Sequence, residues 1–239
     1  MPAFHRVVSL GTNSVIELRH VSCARTETGI SSSVHDVSVE LRPSTVTLFA
    51  GDRGCGKNLI LRILGLLEVP DVGEVIFEGS PVSGMTPEEV LDLRAAACGY
   101  LFAPPFLLPG FTVLENIAMP LFKVLEMRPI DAQERTEKLL DFVGLSPFST
   151  VKIERLSPGL QLRVGLARAL GSMPPLVIVE EPDRILHGAE LNSFRKLLAG
   201  AASEFGCAIA VSIGAEIPSF HGERRIECAG GRIVCDVML

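Results

Sequence analysis

Three patterns of apolar and polar positions follow one another along the chain. Short β-type runs come first, Val15-Ile16-Glu17-Leu18-Arg19 and Val37-Ser38-Val39-Glu40-Leu41, set between turns rich in Ser, Thr and Gly. They read as an antiparallel β edge. The apolar run Val46-Thr47-Leu48-Phe49-Ala50 is a further strand, and helical spacing takes over in Asn58-Leu59-Ile60-Leu61-Arg62-Ile63-Leu64. Val75-Ile76-Phe77 and Gly99-Tyr100-Leu101-Phe102 are later short strands; between them Thr86, with Glu89 three residues on, predicts a capped helix through Leu93.

From about Phe106 to Ser172 the pattern is helical. Asp131-Ala132-Gln133-Glu134 predicts a helix start of the capping-box kind, and Leu139, Leu140 and Val143 carry an apolar stripe that Gly144 stops. Alternation of strand and helix then resumes. Residues 176–179 and 207–211 are continuous apolar runs of buried-strand type, with a helix over 190–202 between them, and a Gly230-Gly231 turn joins two last short strands. The expectation is an α/β fold in one domain over 1–239, with a helical subdomain inserted at about 103–172.

Composition narrows the setting. At 239 residues and 47% hydrophobic the chain can bury a sizeable core, yet no apolar run approaches the roughly 20 residues of a membrane span. The opening Met-Pro-Ala-Phe-His-Arg is not followed by an apolar stretch and cleavage site, so the chain is expected in the cytosol. Six cysteines at scattered spacings, with no C-x-x-C pair, predict reduced and mostly buried thiols rather than a zinc or disulfide framework. A formal charge of −6 without a basic block, no tryptophan and a single tyrosine, Tyr100, argue against nucleic acid as a partner.

The chemistry concentrates where the third strand ends. Gly51-Asp52-Arg53-Gly54-Cys55-Gly56-Lys57-Asn58 follows the phosphate-loop pattern G-x-x-x-x-G-K-[ST] up to its last position. In that pattern glycines let backbone N–H groups curl around phosphate oxygens, the lysine neutralises charge, and the final hydroxyl holds magnesium. Gly51, Gly54, Gly56 and Lys57 keep the cradle, Cys55 fills a variable position, and Asn58 removes the hydroxyl. The flanking strand and helix are the context the loop requires, which makes the sheet one of P-loop NTPase type.

A second segment, Leu156-Ser157-Pro158-Gly159-Leu160-Gln161, opens a helix and is followed by Leu176-Val177-Ile178-Val179-Glu180-Glu181-Pro182. Together with the glycine loop it resembles the ATP-binding subunits of ABC transporters, whose signature reads LSGGQ and whose second nucleotide motif is an apolar strand ending in Asp-Glu-Pro. The resemblance spans nearly the whole chain. The stretch Leu107-Leu108-Pro109-Gly110-Phe111-Thr112-Val113-Leu114-Glu115-Asn116 looks most like the lipoprotein-release and cell-division branch.

Against that family pattern the chain departs position by position. Asn58 replaces the hydroxyl and Glu180 stands for the aspartate, so both sides of the implied magnesium pocket carry longer side chains. Ala103 falls where a glutamine contacts metal and water, and Ile213 where a histidine senses the terminal phosphate. His187 lies where an aspartate faces the partner subunit. Ser157, as N-cap, and Gly159 keep the helix-starting part of the signature, whereas Pro158 lacks an N–H and Leu160 replaces a glutamine. Glu181 alone keeps its place, either as a general base or as a structural acid at a strand end. No aromatic residue stands in Val21-Ser22-Cys23-Ala24-Arg25-Thr26-Glu27 to stack adenine; Arg25 offers its guanidinium plane instead.

The resemblance implies a cassette on the cytoplasmic side of a transmembrane permease, paired with itself or a related subunit, with ATP and magnesium as ligands. The departures predict a scaffold with little or no hydrolysis. A nucleotide sensor and a slow ATPase are the alternatives. Phe102, Phe106, Leu107, Leu108 and Phe111 read either as a groove for a permease helix or as core.

Overall fold

The computed structural model describes residues 14–27, 30–220 and 222–238. The reading of the chain's first residues lies outside them. The elements begin with strands β1 (Ile16–Glu27), β2 (Ile30–Leu41) and β3 (Val46–Ala50), helix α1 (Lys57–Leu64), and strands β4 (Val72–Phe77) and β5 (Ser80–Pro81). Helix α2 (Pro87–Ala97) and strand β6 (Cys98–Leu101) follow, then three helices in succession, α3 (Val113–Lys123), α4 (Pro129–Phe142) and α5 (Pro158–Leu170). Strand β7 (Leu176–Glu180), helix α6 (Gly188–Phe205) and strands β8 (Ala208–Ile213), β9 (Arg224–Ala229) and β10 (Arg232–Met238) complete the order.

Two sheets result. One is antiparallel with strand order β2-β1-β4-β5, and the other has order β10-β9-β3-β8-β7-β6, parallel throughout except for β10 on β9. Every residue of β3 and β8 is buried, which is why those runs are apolar on both sides of the pleat. The period of two divides the core. Leu48, Val177 and Val179 face the cluster beneath α3, α5 and α6, while Phe49, Leu176 and Ile178 face the one formed with α1 and the antiparallel sheet.

Local signals explain most helix ends. Thr86 Oγ1 accepts from Glu89 N at 3.2 Å while Glu89 Oε2 accepts from Thr86 N at 2.7 Å, the capping box expected there. A second box, at Thr112 and Glu115, starts α3 and was not foreseen. The start of α4 corrects an expectation. The helix begins at Pro129, whose fixed φ suits the first helical position, and the Asp131 carboxylate receives Arg128 Nε at 2.7 Å and Nη2 at 2.9 Å instead of capping. Gly144, at φ 72°, lies just past the end of α4 as its sequence suggests.

The last turn before β9 is pinned from inside. Arg195 of α6 is 2% exposed, donates from Nε to Glu223 Oε1 at 3.2 Å and from Nη1 to the Pro218 carbonyl at 2.7 Å, and covers the Phe220 ring at 3.9 Å. Among the described residues no helix is long and apolar enough to cross a membrane.

Candidate functional site

The loop between β3 and α1 is shaped by its glycines. Gly54 has φ 79° and Gly56 φ 97°, and a Cβ on Gly56 would lie 2.9 Å from the Ser33 carbonyl oxygen and 3.1 Å from Gly231 Cα. Only glycine meets both demands. The loop is tied down from behind, since Gly231 N donates to Cys55 O at 3.0 Å and His35 N to Gly231 O at 2.8 Å. A Cβ on Gly51 would meet the Cys228 carbonyl oxygen at 2.4 Å and Cys55 Sγ at 2.6 Å, so Gly51 and Cys55 form the packed floor. The N-terminus of α1 has neither a side-chain cap nor an acidic residue in its first turn. Its first N–H groups therefore have no acceptor within the helix and form, with the loop, an anion cradle.

The lysine turns back into this cradle. Lys57 Nζ donates to Gly51 O at 2.9 Å and to Asp52 O at 3.2 Å, and stands 3.6 Å from Glu181 Oε1 with its side chain 5% exposed. Glu181 follows β7 in a left-handed conformation, φ 47°, and its N–H is held by the carbonyl and Oγ of Ser212, each at 3.1 Å. Its second oxygen accepts from Arg184 Nη1 at 3.1 Å. Arg184 and Ser212 were not singled out in the sequence; Arg184 lies one short turn beyond Glu181, and that spacing was the available signal.

Gly54, Gly56, Lys57, Asn58, Glu180 and Glu181 line one cavity of about 680 Å3 at the carboxyl ends of β3 and β7. Asn58 Oδ1 is buried there without a hydrogen-bond partner among the described residues. Arg25 joins from β1. Its Nε donates to Glu68 Oε2 at 2.9 Å, its Nη1 to Asp71 Oδ1 at 2.9 Å and Ala24 O at 2.8 Å, and its Nη2 to Val69 O. Hydrogen bonds donated to Asp71 and then Glu68 raise the guanidinium pKa above its ordinary value. Asp71 in turn is held below the usual carboxylate range, first by the Ala24 N–H and then by Arg25.

Phe102 and Phe106 also line this cavity, and the other residues marked by the sequence stand outside it. Ile213 is fully buried at the end of β8, where its carbonyl accepts from Gly51 N at 3.3 Å. Ala103 packs against the core, and His187 is exposed ahead of α6. Ser157, Gly159 and Leu160 line a separate cavity with Leu186. There Ser157 Oγ accepts from Leu160 N at 3.4 Å and Pro158 takes the first helical position of α5. Of the apolar group, Phe106 is 70% exposed and Phe111 39%, whereas Leu107 packs partly against the core. Five of the six cysteines are buried free thiols and Cys235 is exposed.

A parallel sheet whose strand runs into a glycine cradle at a helix N-terminus, with an acidic turn beside the lysine, defines a nucleotide-binding cassette. The profile of the family described as ABC transporter matches residues 34–184, more than half of the sequence, and the chain belongs to that family. Two solved dimeric structures of MJ0796 are similar to it at 26% identity, covering 94% of this chain and 98% of theirs. One, a post-hydrolysis state of that ATP-binding cassette bound to ADP and Pi, has a TM-score of 0.79; the other, of MJ0796 as a bacterial ABC transporter cassette, has 0.80. The structure of cbiO1 from Clostridium perfringens, part of the ABC transporter complex cbiONQ, shares the fold with TM-score 0.80 at 18% identity, over 94% of this chain and 88% of its own.

Proposed function

We propose that the chain is the nucleotide-binding subunit of a membrane transport complex, docked on the cytoplasmic side of a permease and paired with a second cassette, and that it holds ATP with little or no hydrolysis. Its work is then architectural. The observation that carries this reading is the state of Glu181, whose two oxygens are already engaged by Lys57 and Arg184. A base must be able to reach the proton it abstracts. The methyl of Ala103 and the buried Ile213 supply no second group to orient water or a terminal phosphate.

The cradle itself fits a polyphosphate: positive-φ glycines, uncapped helix N–H groups and a buried lysine converge on it. Magnesium accompanying the phosphates would take its protein oxygens from Asn58 and Glu180, both in the cavity wall. Their length crowds a site of octahedral geometry, so ATP affinity is expected to differ little with and without the metal. The dimeric state and bound ADP of MJ0796 and the transporter context of cbiO1 support pairing, nucleotide and permease by similarity.

The test is ATP binding and phosphate release by the purified chain. Binding weakened by Lys57→Ala, with phosphate release equal to that of Glu181→Gln, is expected. Turnover that disappears in Glu181→Gln would make the chain a working ATPase and overturn the proposal.

A further inference from the structure

Phe102 and Phe106 line the same cavity as the phosphate cradle. The Phe106 ring is 70% exposed and meets Phe102 edge-on at 5.5 Å, while Phe102 lies parallel to Tyr100 at 6.0 Å. The segment that carries these rings is anchored. Arg168 Nη1 donates to Phe106 O at 2.6 Å, Leu107 N to Pro105 O at 2.8 Å, and Leu108 N to Oδ1 of the wholly buried Asn116 at 2.7 Å. A largely exposed phenylalanine is thus held in place at a nucleotide cavity.

Arg25 stands in the wall from β1 in the antiparallel sheet, while the rings follow β6, the far edge of the other sheet, three strands from β3. The Arg25 guanidinium spends its edges on Glu68, Asp71 and the carbonyls of Ala24 and Val69, which fixes its plane, and the side chain is 29% exposed in the cavity wall. Nucleobases stack on guanidinium planes and on phenyl rings alike, without reading the base edge. The cavity therefore has a planar group on each flank of the cradle.

The cavity wall carries charges of both signs. A free terminal phosphoryl group carries close to two negative charges at neutral pH. Arg53 and Arg62 line the cavity with Lys57, while the carboxylates of Glu180 and Glu181 share the same wall. An esterified phosphate carries a single charge and brings a second base for the rings.

We infer that the cavity takes a dinucleoside polyphosphate, one base on Arg25 and the other against Phe106 and Phe102, with the phosphate bridge on the cradle that ends at Lys57 and Asn58. The inference rests on the nucleotide reading proposed above. Calorimetric titration of the full chain with diadenosine tetraphosphate and with ATP tests it. The dinucleotide is expected to bind about ten-fold or more tightly than ATP, in line with one added base stack, and Phe106→Ala to bring the ratio of the two affinities close to one. Lys57→Ala weakens both ligands. Equal affinities in the parent chain, or a ratio that Phe106→Ala leaves unchanged, overturn the dinucleotide inference while the nucleotide reading stands. Absence of binding by either ligand overturns both.

Discussion

The Lys57 ammonium lies 3.6 Å from Glu181 Oε1, and both side chains are largely buried, at 5% and 15% exposure. Solvent screens such a pair poorly, so the carboxylate competes with any incoming phosphate for the one buried cation of the cradle. It also repels the phosphate directly. Glu181→Gln is therefore expected to raise ATP affinity by about three- to ten-fold, a modest share of the interaction that two charges at this distance exert. Equilibrium binding without magnesium measures it, and an unchanged or weaker affinity would mean that Glu181 does not restrain Lys57.

Gly54 and Gly56 make separable predictions. An alanine at Gly56 combines φ 97° with a contact of 2.9 Å to the Ser33 carbonyl oxygen, backbone against backbone. It is expected to lower stability by about 1–3 kcal/mol or more. Gly54 lines the cavity and an added methyl meets nothing within 4 Å, so alanine there pays only the conformational cost of its φ of 79°. Its effect should fall on nucleotide affinity, through the methyl at the cradle mouth. Urea denaturation and ATP binding of the two variants separate these roles; equal losses of stability would contradict the geometry.

What the sequence disclosed follows from where each signal is stored. Buried strands such as β3 and helix starts such as Thr86 with Glu89 carry their signal locally, and the structure has them where the pattern put them. The hairpin β1–β2 runs on through Ala24 and Arg25 opposite Ser33 and Ser32, because ladder hydrogen bonds extend it beyond the apolar alternation. Asp131 misled because Arg128, three residues earlier, claims its carboxylate. The glycine loop was legible as spacing. The engagement of Glu181 by Arg184, the clamp on Arg25 and the ring of Phe106 in the cavity wall depend on tertiary approach, which no local pattern records.

The Arg195–Glu223 pair, 1% and 8% exposed, holds the segment between β8 and β9 to α6. Removing one partner strands a buried charge. Glu223→Ala is expected to cost about 3–5 kcal/mol, whereas replacing both by apolar residues of similar volume is expected to cost far less. Phe220 N also donates to Glu223 Oε2 at 2.7 Å, so the single variant loses a backbone anchor as well. Urea unfolding of the single and double variants decides it: a single variant within about 1 kcal/mol of the parent would mean that this pair is not effectively desolvated.

Alkaline pH should act on the core through its thiols. Burial pushes the pKa of Cys98 up to about 12, of Cys207 to about 11 and of Cys228 to about 12. An unfolded thiol titrates at about 8.5, so below that pH both states are protonated and the full stability is present. As pH rises further the unfolded chain releases protons that the folded chain keeps. Stability then falls, by about 1.4 kcal/mol per pH unit for each thiol, until the folded-state values are reached. The urea midpoint is expected to be level from about pH 6 to 8 and to decline steeply above about pH 9. Cys98→Ala should make that decline shallower by one thiol's share, beyond any uniform loss from the smaller side chain. A midpoint that stays level to about pH 10.5 in the parent chain would mean that the buried cysteines do not resist ionisation.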